Sequence, residues 1–360
     1  MEKTLVIFNG FYLPHLGGVE RYTAGMVSEL KKYYRVIIVT SNDSRQKSYE
    51  KKDGIEIYRL DAHILCNSRL PILKHTVTNR KILNELRALN ITNIICNTRY
   101  YGITLMGLKL AREKNLTPII IDHSSDYIMK PYERFMLKRI RKYSPKYYAV
   151  SLVTANWLKA IGIKTEGIFY NSIEPQKNFT KSKSEAVRLI YAGRLMKEKG
   201  VNYILDSYAM LNKKYKLSLK IVGGGPLAEE IRKKGLSGMT FLGPLEHDRV
   251  LEEFRASDIF LFPTIYPEGF PTTILEAAGS KCAIIATDRG GTKELITNGK
   301  VGVLLKNPDE LTEELEKLII DKSRLRSIQE EAFKKVNEDF VWPKTVKIMR
   351  RELEKYEQKN

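Results

Sequence analysis

Short apolar runs alternate with amphipathic segments along most of this chain. In the first half, the apolar runs that favour strands cover residues 5–8, 36–40, 55–60, 93–96, 118–122 and 147–151. Apolar residues at helical spacing separate several of these runs, so strands and helices are expected to alternate. Such alternation is typical of an α/β domain with a parallel, doubly wound sheet, and this is the fold class that we predict.

A second series of strands follows a polar break. Residues 171–185 are rich in Lys, Ser and Asn, and the apolar runs resume at 188–192, 217–222, 240–242, 259–262, 283–286 and 302–305. We therefore place a domain boundary within this break, with 1–172 in an N-terminal domain and 173–342 in a C-terminal domain. A helical tail is predicted over residues 345–356.

The composition agrees with two ordinary globular domains. The chain has 360 residues, of which 43% are hydrophobic and 29% are charged. No run approaches the ~18 apolar residues of a membrane span, and the first strand begins without a preceding signal peptide, so we expect a cytoplasmic protein. Cys66, Cys96 and Cys282 are scattered without metal-ligand spacing and are expected to fill core positions in a reducing compartment.

The net charge of +19 is concentrated in the N-terminal domain. Residues 1–175 carry 28 Lys and Arg against 15 Asp and Glu. Because the sequence has no recognisable nucleic-acid-binding motif, we expect no nucleic-acid partner and favour contact with an anionic membrane surface. Two segments could supply this contact, residues 70–77 and the basic, amphipathic segment 130–142. The alternative for the second segment is an ordinary surface helix whose core-facing residues are Phe135, Met136 and Ile140.

The segment with the most chemical content is 266–276, which leads into a predicted helix. It places Glu268 and Glu276 on either side of a Gly-Phe-Pro turn. Gly269 permits backbone geometries that are closed to other residues, and Pro271 suits the first helical position, so free amides point outward and attract phosphate. The two carboxylates can accept hydrogen bonds from sugar hydroxyls, which suggests a nucleotide-sugar site. The alternative is a structural loop that enters a buried helix.

This segment resembles the Glu-x7-Glu motif of glycosyltransferase family 4, a large group of retaining enzymes with the GT-B fold. Residues 193–200, which read Gly-Arg-Leu-Met-Lys-Glu-Lys-Gly, are similar to the family's Gly-Arg-Leu-x-x-x-Lys-Gly motif. The resemblance implies two facing Rossmann-like domains, with a C-terminal helix, 343–360, that crosses back to the N-terminal domain. It also implies that domain 1–172 binds the acceptor and domain 173–342 binds the nucleotide-sugar donor.

The resemblance assigns roles within the donor domain. Arg194 and Lys199 would neutralise the diphosphate leaving group, since a guanidinium offers a fork of donors and an ammonium offers a point charge. The alternative is a surface run of charges with Arg194 in a salt bridge. Glu268 would hold sugar hydroxyls and Glu276 would hold the ribose. The remaining donor-binding residues in this domain are Gly193, Gly243, Leu245, Gly269, Phe270, Pro271 and Thr272.

Two features of the N-terminal domain match the family as well. Gly17 and Gly18 follow the first strand, where the family has a Gly-Gly loop that touches the donor's diphosphate. By itself this is an ordinary tight turn, and it lacks the spacing of a dinucleotide fingerprint, which disfavours an NAD-dependent enzyme. His123 follows a strand at a point where many members have a histidine near the donor sugar. Asp122 and Asp126 are weaker candidates for acceptor binding, for orienting the imidazole or for helix capping.

Further strand ends are expected to border the same pocket. In relatives, a loop of the donor domain borders the nucleotide base, so Gly243 and Leu245 are candidate base contacts, with strand-end packing as the alternative. Residues 287–294 resemble a family motif beside the phosphates, and we expect support rather than chemistry from them. Thr272-Thr273 and Arg289 depart from the usual family residues, and Arg289 either adds a phosphate contact or faces solvent.

These assignments imply a hexosyltransferase that retains anomeric configuration, with the leaving phosphate as base. The predicted catalytic residues are His123, Arg194, Lys199 and Glu268. The chain has no Asp-x-Asp sequence, so we expect neither a metal nor a cofactor. The expected donor is a UDP-sugar. The expected acceptor is a saccharide, lipid-linked at the inner face of the plasma membrane during cell-surface polysaccharide synthesis, and a soluble acceptor is the alternative.

Two alternatives to a transferase stay open. A nucleotide-sugar 2-epimerase shares a GT-B-like fold, but it would convert the donor without any acceptor. A non-catalytic partner subunit would bind a nucleotide-sugar without turnover.

Overall fold

The computed structural model describes residues 2–15, 17–42, 46–65, 70–98, 102–124, 129, 131–297 and 299–357. The chain divides into two compact units, the first formed by Met1–Tyr170 together with Trp342–Asn360 and the second by Asn171–Val341. Cys66 and Asp126 lie outside the described residues, so what the sequence suggests for them stays a prediction. Among the described residues, no helix combines the length and the apolar character that a membrane span requires.

The first unit contains a mainly parallel sheet covered by helices. Its strands are β1 (Thr4–Phe8), β2 (Arg35–Asn42), β3 (Tyr49–Lys52), β4 (Ile55–Leu65), β5 (Leu70–Leu73), β6 (Asn93–Cys96), β7 (Ile119–Asp122), β8 (Lys146–Ala149) and β9 (Thr165–Ile168). Its helices before the linker are α1 (Gly18–Leu30), α2 (Val77–Ala88), α3 (Gly102–Glu113), α4 (Pro131–Arg141) and α5 (Leu152–Ala160). The parallel strands follow the order β4-β2-β1-β6-β7-β8-β9, and β3 and β5 pair antiparallel with β4.

Both faces of this sheet are buried, as a doubly wound sheet requires. Successive residues of β1 belong to different hydrophobic clusters: Val6 and Phe8 pack in one, and Leu5 and Ile7 pack in the other. The alternation follows from the two-residue period of a strand. The strands predicted from the first half of the sequence are confirmed, whereas β3, β5 and β9 were not predicted.

The second unit contains a purely parallel sheet among the described residues. Its strands are β10 (Val187–Ala192), β11 (Leu217–Val222), β12 (Met239–Gly243), β13 (Ile259–Phe262), β14 (Ala283–Thr287) and β15 (Val303–Leu305). Its helices are α6 (Val201–Leu211), α7 (Ala228–Lys234), α8 (His247–Arg255), α9 (Thr272–Gly279), α10 (Thr292–Leu295), α11 (Leu311–Ile320) and α12 (Lys322–Asp339). The order β12-β11-β10-β13-β14-β15 is the 3-2-1-4-5-6 order of a Rossmann fold, and the six predicted strands are confirmed.

The last helix, α13 (Trp342–Lys355), belongs to the first unit. Trp342 and Met349 pack in the hydrophobic cluster that contains Leu5. The Trp342 indole occupies the space beside Gly25, where a Cβ atom would lie 2.1 Å from the indole nitrogen. The predicted return of the C-terminal helix to the N-terminal domain is therefore confirmed.

Candidate functional site

The carboxyl end of β10 continues into a glycine-framed turn of the second unit. Gly193 N donates a hydrogen bond to Val222 O (3.0 Å), which ties the start of the turn to the end of β11. Gly200 closes the turn with φ +73°, and a Cβ atom there would lie 1.9 Å from Pro263 O, just after β13. A residue with a side chain would be both strained and blocked at this position, so the turn needs glycine.

Lys199 and Glu268 form an ion pair beside this turn. Their side chains are only 17% and 15% exposed, and the Lys199 ammonium lies 4.8 Å from the centre of the Tyr266 ring. The main-chain carbonyl of Glu198 accepts a hydrogen bond from Tyr266 N (3.1 Å), which joins the two loops that carry the pair. Both predicted charges are therefore held in one place by the main chain.

Arg194 lies on the same turn but has an exposed side chain. Its main-chain carbonyl accepts a hydrogen bond from the Tyr191 hydroxyl (2.8 Å), which holds the backbone of the turn. None of the described carboxylates forms an ion pair with its guanidinium. The salt bridge considered for Arg194 is thus absent from the described residues, in which its side chain is exposed.

The Gly-Phe-Pro turn leads into α9, as predicted, with one correction of detail. Pro271 is the N-cap residue, and the helix begins one residue later, at Thr272. The Phe270 side chain is 4% exposed and packs against Phe340, with ring centres 5.2 Å apart, and its carbonyl accepts a hydrogen bond from Asn171 Nδ2. The first amides of α9 have no partners within the helix and no side-chain cap at Pro271, which suits an anion.

Residues 288–291 support this turn from behind. A Cβ atom at Gly290 would lie 1.7 Å from Glu268 O, and Gly291 N donates a hydrogen bond to Gly269 O (2.9 Å). Both contacts are with main-chain oxygens of residues 268 and 269, so the segment shapes the loop that carries Glu268. Arg289 is exposed beside it.

Glu276 is buried and paired with a histidine that the sequence analysis did not single out. Glu276 is 4% exposed, and its Oε1 lies 2.9 Å from Nε2 of His247, the first residue of α8. His247 follows the predicted base loop, in which Gly243 has φ +68° and Leu245 is half-buried. The sequence signal for His247 was its position next to that loop. Its contact with Glu276 joins positions 29 residues apart, and sequence spacing cannot predict such a contact.

In the first unit, the two predicted glycines lie at the start of α1, the helix that follows β1 in the chain. Gly17 is an extended N-cap residue, and a Cβ atom there would lie 2.2 Å from Glu20 Oε2. Nothing lies within 4 Å of a Cβ atom built at Gly18. The buried Glu20 side chain fills the space beside Gly17, whereas the space beside Gly18 is open, so Gly18 offers the better approach for a ligand.

His123 follows β7 in the same unit and is partly buried. Its Nε2 lies 2.8 Å from Asn97 Oδ1, and its ring packs edge-on against Tyr22 with centres 4.7 Å apart. Burial lowers the pKa of His123 to about 4, although the charge of Asp122 raises it, so the imidazole is neutral near neutral pH. Asp122 Oδ1 accepts a hydrogen bond from Ser124 N (2.9 Å) and shapes the turn after the strand.

Comparison with known proteins places each unit in a family. The model described as glycosyl transferases group 1 matches residues 172–335, and the model described as glycosyltransferase family 4 matches residues 16–175. An uncharacterized glycosyltransferase of Methanocaldococcus jannaschii is 28% identical over 386 residues, with 98% of each chain covered.

A further relative and a solved structure extend the comparison. The N,N'-diacetylbacillosaminyl-diphospho-undecaprenol alpha-1,3-N-acetylgalactosaminyltransferase of Campylobacter jejuni is 29% identical over 180 residues, with 47% of this chain and 46% of the relative covered. The crystal structure of Anabaena HepE in complex with UDP has the same fold, with a TM-score of 0.79, 16% identity, and coverage of 98% of this chain and 100% of HepE.

Proposed function

Because this chain belongs to glycosyltransferase family 4 and is a glycosyltransferase, we propose that it transfers a sugar from a nucleoside-diphosphate sugar, with UDP as the preferred nucleotide, to a saccharide hydroxyl. The observation that carries this proposal is the Lys199–Glu268 pair beside the N-terminus of α9. One turn there offers a cation and free amides for phosphate, together with a carboxylate for sugar hydroxyls.

In the proposed reaction, the bond between the anomeric carbon and the β-phosphate oxygen breaks while negative charge grows on the phosphate. Lys199, Arg194 and the first amides of α9 stabilise this charge. A hydrogen bond to a charged group is worth ~1.5–3 kcal/mol, and more where the charge develops in the transition state. The acceptor hydroxyl attacks from the side of the leaving group and gives its proton to the phosphate, so configuration is retained.

The remaining predicted contacts select the nucleotide. Glu276 binds the ribose hydroxyls, and Gly243 and Leu245 line the base. Glu268 is not the nucleophile in this scheme, because it holds the sugar's hydroxyls and is paired with Lys199. The chain lacks an Asp-x-Asp sequence, and we propose transfer without a divalent metal.

We propose a lipid-linked saccharide as the acceptor in cell-surface polysaccharide synthesis, reached from an anionic membrane surface. Helix α4 supports this part. Leu137 and Ile140 are buried, whereas Phe135 is 59% exposed and Tyr132 is 47% exposed among basic side chains. The segment is a surface helix, as the alternative interpretation has it, but its core-facing residues are corrected: Ile140 and Leu137 are buried, Met136 is half-buried, and Phe135 is exposed on a basic outer face. The name of the Campylobacter relative includes a saccharide linked to a lipid, N,N'-diacetylbacillosaminyl-diphospho-undecaprenol.

Donor binding is tested first by thermal unfolding with UDP-, GDP- and ADP-sugars. A donor at 100 times its dissociation constant stabilises the protein by about 2.7 kcal/mol, and we expect the UDP series to do so. Product analysis with and without a saccharide acceptor, in buffer containing a chelator, then measures transfer and anomeric configuration. Absence of any stabilisation refutes the proposal, and conversion of the donor without acceptor would identify an epimerase instead.

Membrane contact is tested separately by flotation with vesicles that contain anionic lipid. We expect the wild type to float at low salt, since screening weakens charge attraction at high salt. Phe135→Ser should reduce flotation. Ile320→Ser, which removes an equally exposed apolar side chain (65%) from the second unit, should not. If all three proteins float equally, α4 does not make the membrane contact.

A further inference from the structure

Three buried side chains form a hydrogen-bonded chain behind His123. Asn9, Thr23 and Asn97 are each 0% exposed and lie after β1, within α1 and after β6. Asn9 Nδ2 and Asn97 Nδ2 both lie within hydrogen-bonding distance of Thr23 Oγ1, at 2.9 Å and 2.6 Å. Asn97 Oδ1 in turn contacts His123 Nε2 at 2.8 Å. The chain therefore runs from the body of the unit to the imidazole.

The direction of the Thr23 hydroxyl proton determines the orientation of the Asn97 amide and the position of the proton on His123. Thr23 Oγ1 lies 2.8 Å from Val19 O, a carbonyl that can only accept, so the hydroxyl proton of Thr23 points to Val19. The lone pairs of Thr23 Oγ1 must then receive N–H groups. This orients the Asn97 amide with its nitrogen toward Thr23 and its oxygen toward His123. The hydrogen-bond network thus distinguishes the nitrogen of the Asn97 amide from its oxygen, which the shape of the side chain alone does not do.

The same reasoning assigns the proton of the His123 imidazole. Asn97 Oδ1 can only accept, so His123 Nε2 carries a proton. Because the neutral ring has one N–H group, Nδ1 is left with a lone pair. Three groups face the ring: Asn97 contacts it after β6, the Tyr22 ring packs on it from α1, and Asp122 precedes it on β7. Burial keeps the pKa of His123 at about 4 despite Asp122, so the neutral form prevails near neutral pH.

We propose that Thr23 and Asn97 are positioning residues that hold His123 as the Nε2-protonated tautomer, so that Nδ1 accepts a hydrogen bond from a ligand hydroxyl. A neutral acceptor nitrogen repels phosphate oxygens and suits a polyol. His123 therefore serves the sugar or the acceptor hydroxyl and not the diphosphate. The identity of the hydroxyl-bearing ligand rests on the proposed function, whereas the tautomer does not.

The tautomer is measured directly by long-range ¹H–¹⁵N correlation spectra of histidine-labelled protein without ligand. The chain has five histidines, and the His123 signals are those missing from His123→Asn. We expect an unprotonated Nδ1 and a protonated Nε2 at neutral pH. Thr23→Val removes the acceptor for Asn97 and should allow both tautomers, while Thr23→Ser should preserve the wild-type pattern. In Asn97→Asp, the buried carboxylate should keep His123 doubly protonated at a pH at which the wild type is neutral.

Two outcomes would overturn the proposal: a wild-type His123 protonated on Nδ1, or a tautomer that Thr23→Val and Asn97→Asp both leave unchanged. Ligand titration separates this result from the fate of the proposed function. Thr23→Val should weaken UDP-sugar binding about tenfold, the loss expected for one hydrogen bond, and should leave UDP binding unchanged. If the wild type binds no nucleotide-sugar, the proposed function fails but the tautomer assignment stands.

Discussion

The two units hold their predicted site residues by different means. In the second unit each of the two glutamates has a basic side chain beside it, Glu268 the Lys199 ammonium and Glu276 the His247 imidazole. In the first unit His123 is neutral near neutral pH and lies at the end of a chain of buried amides and a hydroxyl. A charged side chain that is largely buried needs a partner of opposite charge. A neutral imidazole needs only hydrogen-bond partners that fix which of its nitrogens carries the proton.

The difference indicates a division of labour. Paired charges can exchange one partner for an anionic ligand, because the cation is already ionised and partly desolvated. A neutral, oriented imidazole adds no charge and can discriminate hydroxyl groups by the direction of a hydrogen bond. We therefore expect the Lys199–Glu268 pair to serve a diphosphate and the His123 imidazole to serve an uncharged group. Each of the following predictions tests one side of this contrast.

The largest effect is expected at Lys199. Lys199→Ala removes the cation and leaves the Glu268 carboxylate without its partner, so kcat should fall roughly 100- to 1000-fold, as for loss of one transition-state donor. Steady-state kinetics with the stabilising nucleotide-sugar measures the change. Lys197→Ala is the matched control, since Lys197 is exposed on the same turn. Equal losses in both variants would show that the paired lysine has no special role.

The next effect concerns stability and tests the neutrality of the first unit. The pKa of His123 lies at about 4 in the folded state and at 6.5 in a free histidine, so only the unfolded chain takes up a proton between these values. The stability that this difference contributes is complete above pH 6.5 and is lost as the pH falls toward 4, at up to about 1.4 kcal/mol per pH unit.

His123→Gln should flatten this dependence. Urea unfolding across the same pH range measures it, with the exposed His75→Gln as the control. An unchanged slope in His123→Gln would mean that His123 is charged in the folded protein, and the contrast between the units would be lost.

A smaller effect is expected at the second pair. Glu276→Gln keeps the shape but not the charge, and it should weaken UDP binding about tenfold, as expected for the loss of a charge-assisted hydrogen bond. His247→Ala should act less strongly, because His247 reaches the ligand through Glu276, and His247→Gln should restore most of the affinity. Calorimetric titration with UDP measures these changes. Asp248→Asn, at the exposed neighbouring position, should have no effect.

The smallest effect is expected at Gly18. Gly18→Ala adds a methyl group where the folded protein has open space, so the free energy of unfolding should not change. The KM for the donor should rise roughly threefold, which corresponds to less than about 1 kcal/mol of binding free energy. Gly102→Ala is closely matched, because Gly102 is also the first residue of a helix with open space around its Cβ position. A KM unchanged in Gly18→Ala would exclude close approach of the ligand at this loop.

Much of the fold could be predicted from sequence because it depends on local pattern. Buried strands such as β1 and β13 are short apolar runs between helices, and their period and order lead to the parallel sheets. The short edge strand β3 was not predicted, because its sequence, Tyr-Glu-Lys-Lys, is polar and mostly exposed.

The candidate site could be predicted as a set of residues but not as a set of contacts. The Lys199–Glu268 pair joins positions 69 residues apart, and the Asn97–Thr23 bond joins positions 74 apart. Neither partner of such a pair carries a local signal for the other. Phe270 shows the same limit from another side: the motif predicts donor contact, which stays a prediction, while only the packed structure shows that its side chain is buried against Phe340.

The sequence by itself determined the two Rossmann-like units, the glycines at their strand ends and the charged residues that follow them. These features depend on periodicity and on backbone geometry that only certain residues adopt. The tertiary structure decided which charges are paired and which nitrogen of His123 carries a proton. Such choices depend on distances of about 3 Å between side chains from different elements, and those distances exist only once the sheets and helices have packed.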